Sequence, residues 1–182
     1  MNKLIAKAVY FCYRIKESAL RELRRLRCCG AGIYPPPLVL GKVYLRAKKI
    51  HMGKNVTLYP GVYLWGNEIF IGDNVDIGIG TIIHSTNGIH IGNNTVIAGQ
   101  CYLIDSNHGT KKNQLIRLQQ SEAAQNGIVI GNDVWIGAQS SILKGAIIRD
   151  HAVIGANSVV NSEIPENAIA TGSPAKVKKY RQ

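Results

Sequence analysis

The chain has 182 residues, 46% of them apolar, which suits one domain with a core plus an appendage. It carries 22 Lys and Arg against 11 Asp and Glu, a formal charge of +11, but shows no DNA- or RNA-binding motif. Nucleic acid is therefore not an expected partner; the basic surface suits a phosphorylated cofactor, a nucleotide-sugar or an anionic membrane.

Residues 1–33 read as an N-terminal helical segment. Leu4, Ala8, Phe11, Ile15, Ala19, Leu23 and Leu26 recur at helical spacing, and most of the charge falls between them. Lys3, Lys7 and Arg14 interrupt the apolar run before it reaches spanning length, and no signal-peptide cleavage pattern follows. Two readings remain open: a helix packed on the rest of the fold or on a neighbouring subunit, or an amphipathic anchor lying on the inner face of a membrane through residues 1–27. Tyr34, Pro35, Pro36, Pro37 and Leu38 force an extended connector. The 4 cysteines, Cys12, Cys28, Cys29 and Cys101, have neither a zinc spacing nor a disulfide framework, which points to a reducing, cytoplasmic location.

From residue 34 to 170 the chain is β-rich and periodic. Ile130, Ile136, Ile142, Ile148, Ile154 and Val160 stand six residues apart, and Ile71, Ile77, Ile83 and Ile91, Ile97, Leu103 repeat the pattern upstream. A period of six fits a triangular parallel β-helix with three short strands and 18 residues per coil, its ladder residues pointing inward and stacking coil on coil. Glycine follows many ladder residues, where a corner would give a side chain strain or no space. Met52 to Ile71 spans 19 residues and Ile71 to Ile91 spans 20, which places two extra residues at the corner from His84 to Gly88.

The ladder breaks after Leu103. Asp105, Ser106, Asn107, His108 and Gly109 precede a polar stretch without strand rhythm, so residues 109–128 are expected as a loop thrown out from the coils. Residues 171–182 form a basic tail. His108 is the candidate general base, since an imidazole beside the break can take a proton from a hydroxyl or amine. His90 lies 18 residues earlier and is expected one strand spacing below it, lining the substrate. His84, His90 and His108 match no strong metal motif, so no metal is expected. There is no phosphate loop or nucleophile elbow either, which favours direct transfer over a covalent enzyme intermediate.

Three segments, residues 91–109, 128–160 and 164–181, resemble the hexapeptide-repeat acyltransferases, specifically the branch of sugar and polysaccharide O-acetyltransferases. The resemblance implies an all-β, left-handed parallel β-helix, a homotrimer with active sites between subunits, and acetyl-coenzyme A as co-substrate. It implies that His108 deprotonates a glycan or small-molecule hydroxyl, which then attacks the thioester. Asp105, Asn107, His90 and Trp135 would line the substrates, with Trp135 near the thiol end of the cofactor. Gly137, Ala138 and Ala156 would meet the pantetheine arm. Ser173, Pro174 and Lys176 would lie near the adenine and phosphates, with Lys178, Lys179 and Arg181 adding charge. The chain departs from the family pattern in two places: Ser106 stands where many relatives have a second histidine, and Gly78 where small sugar acetyltransferases have an asparagine. Rival functions are N-acetylation of an amino-sugar or acetylation of serine, and a non-catalytic or metal-dependent β-helix.

Overall fold

The computed structural model describes residues 10, 12–20, 22, 23, 33 and 35–182. Residues 10, 12–20, 22 and 23 are helical. The remaining positions of the amphipathic pattern, including Leu4, Ala8, Phe11 and Leu26, lie outside the described residues. Of those described, Ile15 and Leu23 are 55% and 57% exposed, so neither is packed on the coils. None of the described helical residues forms a helix long and apolar enough to cross a membrane.

From Leu38 the chain winds a triangular parallel β-solenoid. The first face stacks Leu38–Val39, Thr57–Leu58, Asp76–Ile77, Val96–Ile97, Trp135–Ile136, Val153–Ile154 and Ala168–Thr171 in parallel register. The second includes Ile82–Ser85, Tyr102–Ile104, Ser141–Ile142 and Val159–Val160; the third includes Ile89–Ile91, Ile128–Ile130, Ile147–Ile148 and Glu163–Ile164. Tyr44–Met52 and Tyr63–Ile71 run through the corner between these two faces and join them into one sheet.

The ladder is the core. Ile130, Ile136, Ile142, Ile148, Ile154 and Val160 are each at most 2% exposed, and each stacks on its copy one coil away. A single coil has only one apolar layer, so this stacking removes the ladder from water. Two residues before many ladder positions sits a second buried column of smaller side chains. Its polar members give their hydrogens to corner carbonyls, as Thr95 does to Gly131 (3.0 Å), Ser140 to Gly155 (3.1 Å) and Thr81 to Ala98 (3.0 Å).

The glycines after ladder residues are required by space. A Cβ on Gly92 would stand 2.5 Å from the Gly131 carbonyl oxygen, and one on Gly137 would stand 2.5 Å from the Ala156 nitrogen. The left-handed backbone falls two residues later, on Asn55, Asn74 and Asn94 at φ 56°, 55° and 56°. Asparagine tolerates that region. Here the side chains also hydrogen-bond in a column, Asn55 Nδ2 to Asn74 Oδ1 (3.0 Å) and Asn74 Nδ2 to Asn94 Oδ1 (2.9 Å).

Two expected boundaries shift. The excursion from the coils begins at Asp105 rather than 109, so it carries His108 with it. The C-terminal tail contains a strand, Lys176–Tyr180, which pairs antiparallel with Ala168–Thr171 and closes the first face.

Candidate active site

The excursion is a β-hairpin arm at the corner between the second and third faces. Its outgoing strand, Ser106–His108, pairs antiparallel with Ser121–Ala123, matching His108 to Ser121 and Asn107 to Glu122. No strand rhythm marks these residues because most of this ribbon faces solvent, so no apolar alternation is needed. At the tip, Gln119 closes the turn: its Oε1 accepts from the Lys111 N–H (2.8 Å), and its Nε2 donates to the carbonyls of Lys111 (3.1 Å) and Gln114 (3.0 Å).

His108 ends the outgoing strand and is exposed. His90 does not lie beneath it. The register pairs His90 with Phe70 on one side and Val129 on the other, because the chain has left the coil before an 18-residue count reaches His108. His90 instead ends a ring stack with Phe70 and His51, each neighbouring pair 4.4 Å apart. His84 stacks on Trp65 at 4.2 Å on the second face. Among the described residues, no group of three or more His, Cys, Asp or Glu side chains is placed to hold a metal ion.

Asp105 is not open to a substrate. It is fully buried, and its carboxylate accepts the N–H groups of Thr86 (2.6 Å), Asn87 (2.7 Å) and Gly88 (2.9 Å). Ser106 is also buried, its hydroxyl 2.8 Å from that of Thr86. Asn107 is exposed, on the opposite side of its strand from Ser106 and His108. Thr86, Asn87 and Gly88 were not singled out as site residues. Their signal was the two extra residues of that corner: Ile83 and Ile91 stand eight apart where Ile142 and Ile148 stand six.

The expected cofactor residues gather elsewhere. Trp135 projects from the first face, 55% exposed, between Val96 and Val153 of the adjacent coils. Gly137, Ala138 and Ala156 lie at the corner between the first and second faces, Gly137 directly against the Ala156 backbone. The turn holding Ser173 and Pro174 is tied to the same corner, since Gly172 N–H donates to Ser158 Oγ (3.1 Å) and Ala175 N–H to the Val159 carbonyl (2.7 Å). Lys176 opens the closing strand just beyond and is exposed. Among the described residues, the N–H of Gly137 is taken by Ile154 O (2.8 Å), whereas those of Ala138 and Ala156 have no backbone acceptor. Gly78, two coils up this corner, has no room for a side chain, because a Cβ would stand 2.5 Å from Gly99 N.

Arg181 is engaged away from that turn. Its guanidinium donates to Asp133 Oδ2 (3.0 Å) and to the His151 carbonyl (3.0 Å), at the corner between the third and first faces. Hydrogen bonds from His151 and then Arg181 hold the Asp133 carboxyl below the usual carboxylate range. Within one chain, Trp135 and His108 occupy opposite sides of the prism. Trp135 stands on the first face, and the arm leaves from the corner between the other two.

Comparison with known proteins agrees with this architecture. A model of the bacterial transferase hexapeptide (six repeats) matches residues 127–162, and one of the hexapeptide repeat of succinyl-transferase matches residues 68–103. The Escherichia coli (strain K12) protein WbbJ, provisionally named a lipopolysaccharide biosynthesis O-acetyl transferase, is 38% identical over 141 residues, covering 72% of each chain. The galactoside O-acetyltransferase of the same strain is 35% identical over 133 residues, covering 69% of this chain and 61% of that one. Among solved structures, a maltose O-acetyltransferase from Clostridium difficile 630 superposes with a TM-score of 0.58 at 23% identity, covering all of this chain and 90% of that one. AntD, an N-acyltransferase from Bacillus cereus in complex with dTDP and 3-hydroxybutyryl-CoA, gives 0.68 at 22% identity, covering 80% and 84%. At those identities the structural likeness speaks for the fold. The chain belongs to the hexapeptide-repeat acyltransferase family of left-handed β-helices, related to the sugar and polysaccharide O-acetyltransferases.

Proposed function

We propose that the protein is an O-acetyltransferase that moves an acetyl group from acetyl-coenzyme A to a hydroxyl of a sugar, nucleotide-sugar or surface-polysaccharide precursor. The observation that carries this reading is the corner strip beside Trp135. There, the N–H groups of Ala138 and Ala156, which have no backbone acceptor among the described residues, offer donors to pantetheine amides or to a developing oxyanion. The relatedness to WbbJ and to the galactoside enzyme supports the acyl donor and the sugar acceptor.

In this reading the His108 imidazole takes the acceptor hydroxyl proton as that oxygen attacks the thioester carbonyl. The carbon–sulfur bond then breaks, and the imidazolium returns the proton to the departing sulfur. The enzyme releases the acetyl ester and coenzyme A. Because His108 and Trp135 lie on opposite sides of one prism, a single acetyl group reaches both only across two chains. A homotrimer closes that arrangement, the His108 arm of each subunit reaching the Trp135 strip of its neighbour.

The test measures thiol release from acetyl-coenzyme A across free sugars, nucleotide-sugars, lipid-linked sugars, amino-sugars and serine, for the wild type and His108→Ala. Release that depends on a sugar hydroxyl and drops at least 100-fold in the variant is expected. Release only with serine or an amine would replace the O-acetyl reading. Analytical ultracentrifugation checks the assembly, with the mass of three chains expected; an active monomer would sink the shared site.

A further inference from the structure

The base of the arm is held by a clasp that grips each limb from the corner of the preceding coil. On the outgoing limb, Asp105 takes the three consecutive N–H groups of Thr86, Asn87 and Gly88, at 2.6, 2.7 and 2.9 Å. A fully buried carboxylate needs such donors, and three of them on one turn form an anion nest. On the returning limb, the Asn87 side chain donates Nδ2 to the carbonyls of Ala124 (3.0 Å) and Gln125 (2.6 Å). The limbs also meet directly, Ala124 N–H donating to the Asp105 carbonyl (2.9 Å). Gly127 then brings the chain back into the third face, in a left-handed conformation (φ 63°) that only glycine fits here, since a Cβ would overlap the Gly88 carbonyl.

The turn that makes this socket is the enlarged corner at Thr86, Asn87 and Gly88. Its additional length belongs to the coil before the arm, yet its hydrogen bonds run to the arm. An ordinary six-residue corner would not present three amides and a side-chain amide to the limbs. His108 stands three residues beyond Asp105 on the same limb, with Ser106 between them, itself bonded to Thr86.

We infer that Asp105 and Asn87 are positioning residues: they lock both limbs of the arm to the corner of the preceding coil and so fix where His108 is presented. This rests on the reading of His108 as the base. Neither residue touches substrate. A small displacement of a reacting group costs up to about 100-fold in rate, so the clasp acts on turnover rather than on cofactor affinity. Within the chain, the cofactor strip lies on coils beyond the arm, and the clasp makes no hydrogen bond to it.

The discriminating variant is Asp105→Asn, nearly isosteric, which turns an NH2 donor toward N–H groups that need an acceptor. Its kcat for acetyl transfer is expected to fall about 10- to 100-fold, with KM for acetyl-coenzyme A within about twofold of the wild type. Asn87→Ala removes only the returning-limb bonds from an exposed side chain. It is expected to show the same split with a smaller loss, and the double variant to fall short of the product of the two single effects. A second readout needs no catalysis: the His108 imidazole resonance, assigned by its absence in His108→Ala, shifts or broadens in both single variants. The resonances of His51 and His151, on the third face and the opposite corner, stay in place. If the wild type transfers no acetyl group, the function proposed above fails, and the resonance alone decides the clasp. Turnover within twofold and an unmoved resonance overturn the inference. So does a parallel rise in acetyl-coenzyme A KM, which would mean general loosening of the fold. Should Asp105→Asn fail to fold, Asn87→Ala carries the test by both readouts.

Discussion

The coils after the arm and the corner that bears it follow opposite rules. From Ile128 to Val160 the coils repeat at 18 residues, the buried side chains are mostly branched aliphatic, and the coils are joined chiefly by strand-to-strand hydrogen bonds, with Ser140 and Ser158 bonding to the Gly155 carbonyl. At the arm the buried atoms include a carboxylate and a hydroxyl, and the hydrogen bonds run from side chain to backbone across a break in the repeat. Repetition yields a stiff wall with a backbone strip along one corner. The interruption is where His108, the base in the proposed reaction, is held away from the wall. In that proposal, stability and reactivity belong to different stretches of one chain.

That division can be broken in either direction. His108→Ala should give the largest effect, at least 100-fold in acetyl transfer, with the thermal unfolding midpoint unchanged, because the side chain is exposed and packs nothing in the ladder. Ile142→Ala should do the reverse, costing about 2–5 kcal/mol in denaturant unfolding while the folded fraction keeps the acetyl-coenzyme A affinity of the wild type. A lost affinity would show that the wall and the ladder are not separable. Gly92→Ala should cost less, about 1–3 kcal/mol, since its new methyl meets the backbone of Gly131 and Asn132, and one coil must shift to admit it. A neutral result would mean that these corners are looser than the stacking distances imply.

The sequence showed the ladder because stacking imposes the same side chain at the same interval, and it located the enlarged corner through the miscount between Ile71 and Ile91. Three things were hidden. The antiparallel pairing of Ser106 with Ala123 needs no apolar rhythm on a solvated ribbon. The role of Asp105 depends on amides that precede it by 17 to 19 residues, a distance set only when coils are stacked. The expected stacking of His90 beneath His108 rested on one wrong premise, that the 18-residue count continued through Asp105, and the register separates the two. For the cofactor strip, residue types alone were weak; what gathers Gly137, Ala138, Ala156 and Ser173 is their shared corner in successive coils.

The closing strand Lys176–Tyr180 has a wider consequence. A parallel stack ends in unpaired amides and carbonyls, a template on which another molecule could continue the winding. At one terminus of this stack the chain reverses and lays down a lysine-rich antiparallel ribbon. At the other, Pro35, Pro36 and Pro37, which lack N–H donors, lead directly into the first strand. On the first face both ends are thereby blunted against strand-by-strand extension.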